Sequence, residues 1–195
     1  MKRLLPLIFL LSSVAPAQAA PIYLFPVVGC DYTYAKSHHD YPATDILAKA
    51  GCKYVAATSG VIDEVNRVDS WSGKTNLGAD RGGLYVSFIG DDGVRYYASH
   101  LRSIPASIQP GVAVTAGRLL GAIGATGSAR GTAPHVHLGI SWPTPVESGV
   151  WWVRRGAVWP WKYLDAWKSG KDLSPVKEVA ARKAKVGEIP PVPKK

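Results

Sequence analysis

Two histidines, His135 and His137, stand two residues apart in an apolar run that is typical of a β-strand. Alternate side chains of a strand share one face, so both imidazoles point the same way and Val136 points the other way. Neutral imidazole is the commonest protein ligand for zinc, and two of them on one rigid element make half of a transition-metal site. Short pairs of this kind also occur by chance, so a metal site requires partners elsewhere in the chain.

Further candidate ligands lie between the two cysteines of the chain. His38, His39 and Asp45 offer two imidazoles and a carboxylate that follows a few residues later. A catalytic zinc ion typically has three protein ligands and an open position for water, so the histidine pair needs a partner of this type. The alternative is that Asp45 caps a turn and that the two histidines are solvated loop residues.

Short strands joined by tight turns are expected to position these side chains. The chain of 195 residues contains 20 glycines, 15 prolines, seven tryptophans and nine tyrosines, which favours many short strands over a helical bundle. We predict hairpins at residues 54–65 and 84–100, the second of which ends at His100. Residues 124–132 form a small-residue loop that leads to His135. The predicted fold is mainly β, a compact antiparallel sheet of short strands.

The start of the chain predicts export. A basic beginning, an apolar run at residues 4–14 and the sequence Ala-Gln-Ala at residues 17–19 are typical of a signal peptide, here residues 1–19. The apolar run is too short to span a bilayer, and we predict no membrane span elsewhere. We therefore expect the protein in the periplasm, the cell wall or the medium. In such compartments Cys30 and Cys52 are expected to form one disulfide.

The net charge of +9 at pH 7 favours an anionic partner. For an exported protein, bacterial cell wall polymers fit better than nucleic acid, and we predict no nucleic-acid binding. Residues 20–170 are expected to form one domain. Residues 161–167 have helical spacing and predict a short C-terminal helix. Residues 171–195, rich in proline and lysine, predict a basic, mostly disordered tail.

The order of motifs over residues 36–140 resembles the lysostaphin-type, or LytM-like, zinc endopeptidases, which are peptidoglycan hydrolases. A histidine is followed closely by Asp45, and residues 97–101 read Tyr-Ala-Ser-His-Leu. Glycine-bounded spacer segments occupy residues 111–124, and residues 134–138 read Pro-His-Val-His-Leu. The resemblance implies the antiparallel fold of that family, of the duplicated-hybrid-motif type.

The resemblance also implies residue roles. Asp45 and His137 are expected to bind one zinc ion together with a histidine from the early motif, and His100 and His135 are the expected catalytic pair. Two imidazoles and one carboxylate leave the zinc with a net positive charge, which lowers the pKa of a bound water toward ~7. We assign His135 as the general base and His100 as the residue that orients the reactants or stabilises the tetrahedral intermediate, although the sequence does not separate these roles.

The early motif departs from the family pattern. The family usually has three residues between the histidine and the aspartate, and here Tyr41 occupies the expected histidine position. A displaced histidine must therefore reach the metal. We predict His39 as the third zinc ligand, with His38 as the alternative.

The function implied by the resemblance is a zinc endopeptidase that hydrolyses peptide bonds in the stem or cross-bridge of peptidoglycan. The signal peptide predicts that it is secreted, and we expect it to be a monomer. One alternative is a non-catalytic wall-binding or hydrolase-activating module on the same fold. The presence of Asp45, His100, His135 and His137 argues against it. A more distant alternative is a tryptophan-rich glycan-binding protein with incidental histidines. The sequence has no His-Glu-x-x-His motif, so a thermolysin-type glutamate base is not indicated.

The tryptophans divide into two groups by position. The first group is expected to pack the C-terminal helix onto the sheet and comprises Trp159, Trp161 and Trp167. The second group lies closer in sequence to the histidine strand, forms candidate walls for a peptide or sugar groove, and comprises Trp142, Trp151 and Trp152.

Overall fold

A computed structural model describes residues 22–39, 41–145 and 149–192. The predicted signal peptide at residues 1–19 lies outside these residues. The described chain forms ten strands: β1 Val27–Val28, β2 Tyr32–Tyr34, β3 Thr44–Ala48, β4 Lys53–Val55, β5 Gly60–Asn66, β6 Leu84–Gly90, β7 Arg95–Ser103, β8 Ala113–Val114, β9 Leu119–Ile123 and β10 His135–Ser141. The α-helices are α1 Trp151–Arg154, α2 Trp161–Trp167 and α3 Val176–Val186, and 3-10 turns occur at Gly78–Gly82 and Gly127–Ala129.

The strands form one antiparallel sheet that approaches a barrel. Its main path has the strand order β1-β4-β9-β7-β10-β3-β2, while β6 pairs with β5 and β7, and β5 also pairs with β8. The long strand β7 is hydrogen bonded to β6, β9 and β10, so the sheet branches there. The mainly β, antiparallel fold with a short C-terminal helix is confirmed.

One of the two predicted hairpins forms and the other does not. Strands β6 and β7 pair across a turn at residues 90–93, as their alternating pattern indicates. The hairpin expected at residues 54–65 is wrong, because β4 pairs with β1 and β9, and β5 pairs with β6 and β8. Gly60 explains this pairing. A Cβ at Gly60 would lie 2.1 Å from the Ile89 carbonyl oxygen, so only glycine allows β5 to start against the end of β6.

Strand β10 separates the core from the site. Val136, Leu138 and Ile140 are fully buried and contribute to the hydrophobic core, where each such side chain stabilises by about 1.5–3 kcal/mol. The alternate positions, His135 and His137, therefore face the other side of the sheet. Burial of the apolar set fixes the register, and a slip by one residue would exchange the two faces.

The C-terminal region is more ordered than its composition suggests. Sequence composition predicts a mostly disordered tail over residues 171–195, but Val176–Val186 forms helix α3. Its Val179 is buried, and Tyr163 of α2 donates a hydrogen bond to Glu178 at 2.5 Å. The many lysines of this segment led to the prediction of a disordered tail, but the helix has a short apolar side that packs on the core. Helix α2 forms at the predicted residues, with Trp167 buried and stacked on Tyr23.

The predicted disulfide between Cys30 and Cys52 is present, with a Cα–Cα distance of 6.0 Å. It closes the segment that carries His38, His39 and Asp45, which limits the conformations available to the early motif. Among the described residues, none of the helices has the length and apolar character needed to cross a membrane.

Candidate metal centre and groove

The pairing of β10 with β3 brings a histidine and a carboxylate together. His137 lies opposite Asp45 in the ladder, and its Nδ1 is 2.9 Å from Asp45 Oδ1. On the other side of the ring, Nε2 is 3.0 Å from the carbonyl oxygen of Arg155. A carbonyl only accepts hydrogen bonds, so this contact favours the tautomer with the proton on Nε2. The Nδ1 lone pair then points toward Asp45.

His38 completes the cluster from the early loop. Its side chain is 5% exposed, and its Nε2 is 3.9 Å from Asp45 Oδ2. Its Nδ1 is 3.1 Å from the carbonyl oxygen of Tyr41, and its ring centroid is 4.9 Å from that of His137. Burial, together with the nearby His137, lowers the pKa of His38 to about 4. His38 is therefore neutral at pH 7, which is the form that binds metals.

His39 is close to this cluster but is exposed to solvent. Its ring centroid is 4.2 Å from that of His38. One ligand atom each from His38, His39 and Asp45 lie within 4.8 Å of one another, so both histidines can reach a cation held by the carboxylate. Tyr41, at the family's histidine position, also faces the site, with its hydroxyl 3.4 Å from His137 Nε2.

Asp45 is held in its ionised form. Burial by itself would raise its pKa, but the close contact with His137, with His135 and His38 nearby, outweighs burial and lowers the pKa well below its usual range. A permanent carboxylate beside imidazole nitrogens is the donor set that zinc prefers.

His100 and His135 lie beside this cluster, with ring centroids 4.9 Å apart. His100 Nδ1 is 2.8 Å from the carbonyl oxygen of Thr126, and His135 Nδ1 is 2.8 Å from that of Ala133. Burial, with the charges of His137 and His135, lowers the pKa of His100 to about 3. Both Nδ1 contacts favour tautomers whose Nε2 carries a lone pair.

The backbone at His100 is unusual. Its φ is +65°, in the left-handed region that costs a non-glycine residue about 1–3 kcal/mol. The pairing of β7 shifts register on both sides at this point, between Leu101 and Ser103 against β9 and between Leu84 and Val86 against β6. Such irregularities redirect a side chain out of the regular alternation. This aims His100 at the site rather than into the sheet.

All five predicted site residues line one groove of about 570 Å³, together with His38. Trp151 also lines it, as the sequence suggested, and its ring packs under the guanidinium of Arg155 at 5.0 Å. Trp142 and Trp152 do not line this groove. They line a second cavity of about 430 Å³, and Tyr41 lines both concavities.

Sequence reasoning missed the groups that orient the imidazoles. Four backbone carbonyls do this, those of Tyr41, Thr126, Ala133 and Arg155. A carbonyl leaves no signature in residue type, so no sequence signal reports it. It also missed Asp69, whose Oδ2 accepts hydrogen bonds from the Gly127 backbone N–H and from Arg130 Nε, both at 3.0 Å. Through these hydrogen bonds, Asp69 connects two loops beside the groove.

The family model described as Peptidase family M23 matches residues 39–148. Among solved structures, the catalytic domain of the antimicrobial peptidase lysostaphin from Staphylococcus simulans is 24% identical, with 69% of this chain and 92% of that chain covered and a TM-score of 0.51. A second lysostaphin structure is 26% identical over 75% of this chain and 55% of that chain, with a TM-score of 0.52. A Ruminococcus gnavus protein assigned as a glycyl-glycine endopeptidase LytM is 23% identical over 71% and 64% of the two chains, with a TM-score of 0.50. No curated protein sequence matches.

Proposed function

The chain belongs to peptidase family M23, and from this premise we propose that it is an exported zinc endopeptidase that hydrolyses peptide bonds in the stem or cross-bridge of peptidoglycan. The observation that carries the proposal is the convergence of Asp45 and five histidines in one groove. Residues 1–19 act as the signal peptide, and residues 20–170 hold the catalytic domain. The Cys30–Cys52 disulfide agrees with an oxidising compartment.

The residues present fit a zinc ion. We assign His38 Nε2, Asp45 and His137 Nδ1 as its ligands, with His38 in preference to the exposed His39. The carbonyl oxygens of Tyr41 and Arg155 occupy the opposite ring nitrogens of His38 and His137, so each lone pair faces Asp45. Two lone pairs and an anion at close range repel one another unless a cation lies between them. Backbone carbonyls behind metal-binding imidazoles are the usual way to fix the ligand tautomer.

A zinc ion held by His38, Asp45 and His137 would lower the pKa of a bound water toward ~7 and would polarise the carbonyl of the bond to be cut. His135 accepts the proton of the attacking water on Nε2, because Nδ1 is held by the Ala133 carbonyl. The protonated His135 then gives that proton to the departing amine. His100 stays neutral, and its Nε2 accepts a hydrogen bond from the water, which orients the attack.

Support for a wall peptide comes from charge and family. The net charge of +9 for the whole chain falls by two, to +7, without Lys2 and Arg3 of the signal peptide, and it still favours the anionic polymers of the bacterial wall. Lysostaphin, to which the chain is similar in fold, is named as an antimicrobial peptidase. A groove of about 570 Å³ is large enough for several residues of an extended peptide. We expect the protein to act as a monomer.

A non-catalytic wall-binding or hydrolase-activating role is the second candidate. The observation in its favour is Tyr41 at the family's histidine position, because inactive members of a fold commonly differ at a metal ligand. His38 lies close to Asp45, which favours the view that His38 replaces the missing histidine ligand and that the metal site is retained.

Digestion of purified peptidoglycan distinguishes the two functions. Mature protein and a His137→Ala variant are incubated with peptidoglycan in the presence of zinc, and new amino groups and fragment masses are measured. We expect new peptide amino termini with the mature protein and none above background with the variant. Equal binding to the wall by both proteins, with no new amino termini from either, would establish the non-catalytic role.

A further inference from the structure

Residues 188–192, here named the C-terminal strap, follow α3 and run along the boundary between the two concavities. Val192 lines the groove that holds the histidines, whereas Pro190 and Pro191 line the second cavity. Tyr41 lines both. The strap is therefore one wall of the groove at the side nearest the second cavity.

Two indoles anchor the strap. Trp142 Nε1 donates a hydrogen bond to the Glu188 carbonyl oxygen at 2.9 Å, and Trp152 Nε1 donates one to the Pro190 carbonyl oxygen at 2.9 Å. Trp142 is 2% exposed, so its donor is fixed by the core. The Glu188 side chain is also paired with Lys183 of α3 at 3.1 Å. These contacts give the strap a defined position.

The chemistry of the strap suits a barrier better than a binding edge. Pro190 and Pro191 have no backbone N–H, and the indoles already occupy the carbonyl oxygens of Glu188 and Pro190. Because strand pairing needs backbone donors as well as acceptors, Pro190 and Pro191 form a poor edge for pairing with a peptide in the groove. Proline also fixes φ, so holding the strap in place costs little conformational entropy. The residue of the strap that lines the groove is the apolar Val192.

We propose that the C-terminal strap is a specificity-determining wall, which restricts the access of bulky cross-linked peptidoglycan to the groove while leaving short peptides unaffected. This inference rests on the proposed peptidase function. Displacing the strap removes Val192 from the wall of the groove and Pro190 and Pro191 from the wall of the second cavity, which opens the groove on that side. Bulky substrates gain from that change, whereas a short peptide already fits.

The test compares two substrates: purified cross-linked peptidoglycan and a short soluble peptide excised from it. One variant ends after Gly187, and a second, Trp152→Phe, keeps an aromatic ring but removes the hydrogen bond to Pro190. Trp161→Phe is the matched control, since Trp161 lines neither concavity. The quantity measured is kcat/KM for peptidoglycan divided by kcat/KM for the short peptide, with near-ultraviolet circular dichroism as a check on folding.

We expect this ratio to rise about threefold or more in both strap variants and to stay unchanged in the control. An unchanged or lower ratio in a folded strap variant, with the intact protein active on both substrates, overturns the strap proposal alone. Absence of hydrolysis by every protein, including the intact one, instead overturns the proposed function and the strap proposal with it.

Discussion

His137 and Asp45 face each other across two paired strands, with Nδ1 of the histidine 2.9 Å from Oδ1 of the carboxylate. The backbone ladder between β10 and β3 fixes their separation, and the Arg155 carbonyl fixes the ring of His137. The two side chains are therefore already in position before a cation binds. The centre of the proposed metal site is thus a rigid strand pair, and the early loop supplies only the remaining ligand.

The two adjacent histidines of the early loop should differ in zinc binding. We expect His38→Ala to lower zinc affinity by about 100-fold or more, because His38 is the buried ring whose Nε2 approaches Asp45. His39→Ala should change the affinity by no more than about threefold, since this ring is exposed. Competition with a fluorescent chelator measures both constants. The reverse ranking would return the ligand role to His39.

Gly139 is expected to be important for metal binding through its close approach to the backbone of Arg155. A Cβ there would lie 2.0 Å from the Arg155 carbonyl oxygen, which orients His137. We expect Gly139→Ala to lower zinc affinity by about 10-fold and the free energy of unfolding by about 1–3 kcal/mol. Gly73→Ala is the matched control, since its nearest neighbour would lie at 3.6 Å. Wild-type zinc affinity in Gly139→Ala would show that the Arg155 carbonyl is dispensable.

The proposed catalytic histidines, His100 and His135, are expected to differ from the proposed zinc ligands in both activity and zinc affinity. We expect His135→Ala and His100→Ala each to lower kcat/KM on peptidoglycan by about 10²–10⁴-fold. Both variants should retain a zinc affinity within about threefold of the wild type, because no ring nitrogen of His100 or His135 is among the proposed ligands. Loss of zinc from His135→Ala to the extent seen in His137→Ala would instead make His135 a ligand.

Asp69 should stabilise the groove loops in a pH-dependent way. Burial would raise its pKa, but hydrogen bonds from Gly127, Arg130 and Trp71 outweigh burial and lower it. A lowered folded-state pKa means that this stabilisation is present above the unfolded value of about 3.9 and is lost as pH falls through the folded value. We therefore expect Asp69→Asn to lower the free energy of unfolding by about 1–2 kcal/mol at pH 7. The difference from the wild type should be smaller below about pH 4.

Urea unfolding of the wild type and Asp69→Asn at pH 7 and pH 3 measures this difference, with Asp91→Asn on an exposed turn as the control. An equal difference in the free energy of unfolding between wild type and Asp69→Asn at both pH values would show that the charge of Asp69 does not stabilise the contact between the loops.

Several features were predictable because their signals are local. The β6–β7 hairpin follows from alternation around a Gly-Asp-Asp-Gly turn, and the face shared by His135 and His137 follows from strand periodicity. The pairing of β5 with β6 and β8 was not predictable, because Gly60 matters only through a neighbour distant in sequence.

The choice between His38 and His39 lies beyond sequence for a similar reason. The two residues are of the same type and adjacent, and they differ in that the His38 ring is buried against the Tyr41 carbonyl whereas His39 is exposed. Helix α3 was not predicted for a different reason. Its many lysines indicate a disordered tail, and its short apolar side is recognised only from the packing of Val179 on the core.

The most direct test of the account is the zinc stoichiometry of activity. Mature protein is stripped with a chelator, dialysed, and titrated with zinc while hydrolysis of peptidoglycan is followed, and bound zinc is measured in parallel by atomic absorption. We expect no hydrolysis without metal and full activity at one zinc per chain, with no such recovery in Asp45→Asn. Hydrolysis that persists in stripped protein, or a protein that binds no zinc, would contradict it.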